Sequence, residues 1–357
     1  MIQVALRRLS GRTVGAMLVL ALIGLAAVTA EAQNQGQVPG QSQGSTSDAE
    51  FWRTIRQGEN FTSSLPDAQA GVLIQSEGQN WRAIRNGPLS TYGVWGLIGI
   101  VALLALFFAI RGRVRIESGR SGHLVKRFGF IERFTHWMTA VSFIVLALTG
   151  LNLLYGRYFL PEVIGSTAFG TLTLWGKYAH NYLSFAFMLG IVLMFVLWVA
   201  HNLPNRYDLI WLAKGGGMFT KHTHPPSKKF NAGQKLIFWL VVLGGASVSF
   251  SGLMLLFPFE LAAFGKTFEL INGIFGTELP VGLTALEEMQ LAQVWHAIMG
   301  LILTIVIIAH IYIGTIGMEG AFDAMGSGRV DENWAKEHHS IWAEELRRRD
   351  ALDTGDD

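Results

Sequence analysis

Residues 295–310 read WHAIMGLILTIVIIAH, an apolar run of helix length with a histidine near its start and another at its end. Ionisable side chains are costly in lipid and face a bundle interior or a functional site when they occur there. His296 and His310 are 14 residues apart. At ~100° per residue they fall within about 40° of one helix face, and roughly 21 Å apart along the axis. One face and two depths is the pattern expected of two stacked ligand sites.

The chain of 357 residues is 50% hydrophobic and 15% charged, with a mean hydropathy of +0.35. That balance points away from a soluble domain. There are 0 Cys, which excludes a thiolate iron–sulfur cluster, a disulfide and a covalently attached c-type haem on this chain. A bound metal must take His, Met or oxygen ligands. The net charge of +2 argues against nucleic acid, and the sequence holds no Walker A loop, no GxGxxG after a strand and no HExxH.

Outward from the opening stretch, five apolar runs are long enough to span a bilayer: approximately Gly93–Ile110, Phe134–Leu154, Trp175–Ala200, Leu236–Phe257 and Leu291–Met318. No strand signal competes with them. The predicted fold class is an all-α integral membrane protein: a four-helix transmembrane bundle over 134–318, with one additional N-terminal transmembrane helix at 93–110. Upstream, a basic start, an apolar run and Ala30-Glu31-Ala32 read as a cleaved signal peptide over 1–32. A Gln/Gly/Ser-rich linker and a short polar segment with scattered aromatics fill 33–92.

Lys and Arg set the orientation. One loop, 111–133, carries Arg111, Arg113, Arg115, Arg120, Lys126, Arg127 and Arg133. The next loop on the same side carries Arg206, Lys214, Lys221, Lys228, Lys229 and Lys235. These basic loops belong in the cytoplasm, which puts 33–92 outside and the C-terminal tail, 319–357, inside. The tail is read as charged and amphipathic.

Of the 10 His, His123, His222, His224, His338 and His339 fall in loops or the tail and are read as solvated surface, with His201 at a membrane interface. Four lie within apolar runs: His136, His180, His296 and His310. Neutral imidazole is a good ligand for haem iron and a poor occupant of lipid, so these four are predicted to hold two bis-His haems b. Topology selects the pairs. His136 and His310 lie near inner helix ends and form the inner site; His180 and His296 lie near outer ends and form the outer site. Gly150, Gly190, Gly300 and Gly314 allow close approach of a helix or a porphyrin.

ERFTHW (132–137), ALTG (147–150), YAH (178–180), HNLPNRYDLIWL (201–212), KFNAGQKLIFW (229–239), WHAIMG (295–300), AHIYIG (309–314) and WAKEHHSIW (334–342) resemble, in order, the cytochrome b (gamma, cytochrome b556) subunit of membrane-bound formate dehydrogenase. The likeness runs from Ile131 to Leu346, and NAGQK (231–235) is its most specific part. It implies two haems b on His136, His310, His180 and His296. It also implies a quinone pocket at Asn231, Gly233 and Gln234 close to His310. The implied partners are an iron–sulfur (beta) subunit and a molybdenum- or tungsten-containing catalytic (alpha) subunit, in the bacterial inner membrane. No formate chemistry occurs on this chain, which would pass electrons from outside to quinone near the cytoplasmic face. Taken alone, NAGQK reads two ways. It is a polar loop able to hydrogen-bond a quinone carbonyl, or a helix start with Asn231 near the N-cap. The same architecture also serves other quinone-linked dehydrogenases, such as a membrane-bound hydrogenase. A haem-free anchor or transporter would call for intramembrane Asp or Glu relays, and none is placed at mid-depth in the four-helix spans. The region before Ile131 has no counterpart in shorter members of the family.

Overall fold

The computed structural model describes residues 78–353 apart from Lys221 and Phe259. The signal peptide and most of the 33–92 segment lie outside the described residues. Five helices are long and apolar enough to cross a membrane. They are α1 (Ser90–Arg111), α2 (Phe130–Tyr155), α3 (Ser166–Trp198), a fourth that follows the short α4 (Arg206–Ala213), and a fifth near the C-terminal end. The fourth, α5 (Ala232–Leu256), widens into one π-helical turn at Leu240–Gly244. An amphipathic α6 (Phe264–Phe275) precedes the fifth, α7 (Ala285–Tyr312), which continues as a π turn over Ile313–Gly317.

Several helices begin earlier than their apolar runs, because a polar first turn does not register as hydropathy. In α2 the Glu132 carboxylate accepts from the Gly129 N–H at 2.7 Å. In α7 the Thr284 hydroxyl accepts from the Glu287 N–H while Glu287 accepts from the Thr284 N–H, a reciprocal cap that satisfies two orphan donors. At 1.5 Å per residue α3 runs to about 50 Å, beyond the ~30 Å hydrocarbon core, so its ends stand in the headgroup or aqueous zones.

Small residues bring the helices together, as expected where lipid offers no hydrophobic drive. Gly190 on α3 lies directly against Thr139 on α2. A Cβ on Gly245 of α5 would meet Ile191 of α3 at 2.7 Å, and one on Gly244 would meet Leu303 of α7 at 3.0 Å. The additional helix α1 leans on α7, with Gly93 against Leu301 and Gly96 against Ile305. Thr139, Ser142, Thr149 and Ser251 return their hydroxyl protons to carbonyls of their own helices, which spares those groups from lipid.

Loop 112–129, loop 202–231 and the C-terminal segment meet at one end of the bundle. β1 (Leu124–Lys126) pairs antiparallel with β2 (Arg329–Asp331), Val125 opposite Val330. Strands of three residues are too short to carry a period in the sequence, so they left no signal there. Beyond β2, α8 (Glu332–His338) and α9 (Ser340–Asp353) close a core of Phe128, Trp198, Phe230, Val330, Trp334 and Trp342. The segment after the last span is thus a packed cap. At the opposite end, buried Glu288 on α7 accepts from the N–H groups of Ala263, Phe264 and Gly265 and anchors the start of α6.

Candidate redox site

The four intramembrane histidines meet in two pairs. His136 of α2 faces His310 of α7 with ring centroids 6.2 Å apart and planes at 60°. His180 of α3 faces His296 of α7 at 6.1 Å, also at 60°. A ring nitrogen ligates a metal at about 2 Å, which puts the ring centre about 3 Å from the metal and two opposed rings about 6 Å apart. Both pairs have that separation. Open space lies beside them: a Cβ added at Gly300 or Gly314, each four residues after an α7 histidine, would meet nothing within 4 Å. Gly300 and Gly314 therefore mark room for a planar group and not the helix contact that Gly190 makes. Gly150 is an ordinary neighbour of the His180 ring, at 3.6 Å. Gly252 on α5, which sequence reasoning missed, clears the His296 ring; a Cβ there would come within 3.2 Å of its Cε1. Geometry, open space and donor chemistry fit two bis-imidazole haems.

The pairs differ in what holds their outer nitrogens. His296 Nδ1 donates to the Val248 carbonyl at 3.0 Å and lies 3.1 Å from the Ser251 hydroxyl. His180 Nδ1 lies 2.8 Å from the Thr149 hydroxyl, whose proton goes to Val145 O, so the imidazole donates. Both rings are fixed in the tautomer that leaves Nε2 bare for a metal. His136 Nδ1 is buried with no partner among the described residues, and the His136–His310 pair borders a large cavity of about 590 Å³.

That cavity also reaches Asn231, Gly233 and Gln234. Asn231 is the N-cap of α5: its Oδ1 accepts from the Gln234 N–H at 2.9 Å, and Gln234 Oε1 accepts from the Asn231 N–H at 3.1 Å. The helix-start reading of NAGQK holds, and the same residues border the cavity. The side-chain oxygens are spent on the cap, while the side-chain amide groups remain as donors on the cavity wall. Gly233 lies under Trp211 of α4, where a Cβ would meet the indole at 2.8 Å. Lys235 is buried and bonds Asp208 Oδ2 at 2.8 Å and Leu203 O at 2.9 Å. It works as a structural strut between α4 and α5, beyond the orientation charge that the sequence suggested. Trp211 and Asp208 were not singled out from sequence; their signal was only their place in a shared motif block.

One correction concerns His338 and His339, read above as solvated. Both are enclosed by the cap. His339 is fully buried; its Nδ1 donates to Lys228 O at 2.8 Å and its Nε2 accepts from Arg127 at 3.1 Å. Burial holds it well below the ordinary histidine range. Arg127 is itself 3% exposed and stacked against Phe128, Trp334 and Trp342. Burial lowers it to about 9, so it stays cationic at neutral pH, supported by the ring faces. Exposure had been inferred from loop position, but the two flanking tryptophans of WAKEHHSIW carry these histidines into a core. His222 and His224 do lie at the surface, both on the Glu117 carboxylate.

Comparison with known proteins adds the following. A family model described as prokaryotic cytochrome b561 matches residues 127–328. The chain is 27% identical over 231 residues to the nitrate-inducible formate dehydrogenase cytochrome b556(Fdn) subunit of Escherichia coli K12, covering 64% of this chain and 94% of that one. It is 26% identical over 225 residues to the formate dehydrogenase cytochrome b556(fdo) subunit of the same organism, covering 63% and 94%. It is 24% identical over 217 residues to the formate dehydrogenase cytochrome b556 subunit of Haemophilus influenzae, covering 60% and 79%.

Proposed function

This chain belongs to the prokaryotic cytochrome b561 family, and from that premise we propose that it is the quinone-reducing membrane subunit of a formate dehydrogenase. His180 and His296 hold an outer haem b, and His136 and His310 an inner one. Bound haem supplies a one-electron carrier at each pair. The observation that carries the reading is one helix, α7, presenting an imidazole at each of two depths, each opposed by a second imidazole at single-metal spacing.

The chain's own residues do three things in this reading. Val248, Ser251 and Thr149 orient the outer ligands. The amide donors of Asn231 and Gln234 bind a quinone carbonyl beside His310. The C-terminal cap walls the quinone chamber from the aqueous phase. The basic loops 111–133 and 202–231 place that end in the cytoplasm, with 33–92 and the α6 end outside. Electrons enter at the α6 end from an iron–sulfur subunit, itself fed by a molybdenum- or tungsten-containing subunit. The chain divides into 1–32, a signal peptide; 33–92, a periplasmic segment; 93–110, the extra helix; 111–133, a cytoplasmic loop; 134–318, the di-haem bundle; and 319–357, the cytoplasmic tail.

The test is spectroscopic. Chain purified with its partners should show b-type bands accounting for two haems, reducible by formate and reoxidised by an added quinone. Absence of a b-type band sinks the proposal. Electrons moving inward oppose the membrane field at ~2.3 kcal/mol per charge per 100 mV. Turnover in sealed vesicles should therefore be electrogenic, with proton uptake on the cytoplasmic side; uptake on the outer side would invert the topology.

A further inference from the structure

Reducing a quinone in the inner cavity takes two protons as well as two electrons, since both carbonyl oxygens become hydroxyls. Asn231 and Gln234 can donate hydrogen bonds but cannot release a proton. The cap supplies a group that can. Of the adjacent histidines on the cavity wall, His339 has both nitrogens engaged, by Lys228 O and Arg127. His338 does not: its Nε2 is buried with no hydrogen-bond partner among the described residues. Its ring lies 6.3 Å, centre to centre, from that of His224, near enough for one bridging water. His224 reaches solvent and is held by Glu117 through Nε2 at 3.1 Å. Glu117, His224 and His338 line the same cavity as His310 and Asn231.

We propose that His338 is the last protein group of a proton relay that runs from His224, oriented by Glu117, to the quinone in the inner cavity. This rests on the quinone reading of that cavity. His338 passes a proton from one ring nitrogen to the quinone oxygen and takes its replacement at the other from the His224 side, so the protein is unchanged after each transfer. Two electrons from the haem sites and two protons from the cytoplasmic phase complete the quinol. The charged and titratable groups around His338 are Glu337 and His339 beside it in the chain, Arg127 after β1, and Glu117 and His224 from the two loops. Burial is the largest influence and pushes His338 down to about 4. At neutral pH it is therefore a neutral imidazole, with one nitrogen protonated and one ready to accept.

The experiment uses the full chain with both haems bound and chemically reduced, mixed rapidly with menadione while haem reoxidation is followed. His338→Phe should slow reoxidation by about 100-fold, the scale of a lost proton donor. The haem spectrum and the affinity for menadione, read by tryptophan quenching, should be unchanged. Added imidazole should restore the rate in proportion to its concentration. His224→Gln, at the exposed start of the relay, should slow the reaction less and shift its pH profile; it serves as the readout if His338→Phe does not fold. A wild-type rate and pH profile in both variants, or a slow rate that imidazole does not restore, overturns the relay alone. If the wild-type haems are not reoxidised by menadione at all, the quinone reading fails and takes the relay with it.

Discussion

The outer and inner histidine pairs share their spacing and their helix α7, yet their surroundings differ. Around His180 and His296, Thr149, Ser251 and the Val248 carbonyl hold the rings in place. Around His136 and His310 the protein opens into a chamber lined by groups from two loops and the cap, and His136 Nδ1 has no partner among the described residues. A site that only stores an electron gains from rigid ligands and exclusion of water. A site that trades electrons with a diffusing molecule needs space, donors and a path for protons. The same pair of imidazoles, set at two depths, thus stands in two different settings.

The sharpest way to break this comparison is to remove ligands one at a time. Substituting Ala at His180 or His296 should abolish the outer haem and leave the inner haem at least partly bound. The same change at His136 or His310 should do the reverse, measured by haem content and reduced-minus-oxidised spectra. If His136→Ala and His180→Ala gave the same one-haem spectrum, the pairing would be wrong. Smaller is the effect of the outer support: Thr149→Val should weaken outer haem binding by about 10–100-fold and leave the inner haem unaffected, followed by haem transfer to an acceptor protein.

Asn231→Asp separates the two duties of that residue. It keeps the oxygen that caps α5 and removes the amide donor, so haem reoxidation by quinone should slow by about tenfold, the value of one lost hydrogen bond. Both haems should remain bound and the melting temperature should stay close to wild type. Asn231→Ala would lose the cap too, at about 1 kcal/mol. The smallest effect is on the cap. His338 is held neutral, with its value lowered from 6.5 to about 4, so the open cap binds more protons than the closed one. Its contribution to closure is full above pH 6.5, falls as pH drops toward 4 and then levels. From pH 7 to pH 6 His338 should lower the protection of α8 amides, after correction for the intrinsic exchange rate, by about threefold, and His338→Phe should remove that share and leave the one due to His339.

The membrane helices were legible in the sequence because twenty-odd apolar residues have few other uses, and the haem pairs were suggested by charge-bearing rings standing where lipid penalises them. Neither signal reaches the loop end. His338 and His339 looked like surface because they lie in the tail, and only contact with Trp334, Trp342 and Arg127 reveals a core. Lys235 was counted as one more cytoplasmic charge, whereas its ammonium group is buried against Asp208, a partner 27 residues away. Long-range pairing of short polar segments has no period to read. The capping role of Asn231 was visible as one of two alternatives, and the structure shows that cap.

The pairing of β1 with β2 carries a consequence in time. The strand at 124–126 finds its partner only at 329–331, after all five spans have been made. Chains grow at ~5–20 residues per second, so from the end of α7 to the arrival of α9 the inner chamber stands unroofed for on the order of a few seconds. That interval is when a rigid macrocycle can pass to His136 and His310 without unfolding anything. Once the strand and the tryptophan-rich helices close over it, exchange requires the cap to open. Nascent chains arrested before Arg329 are expected to swap inner haem freely with labelled haem, and completed chains are expected to retain it.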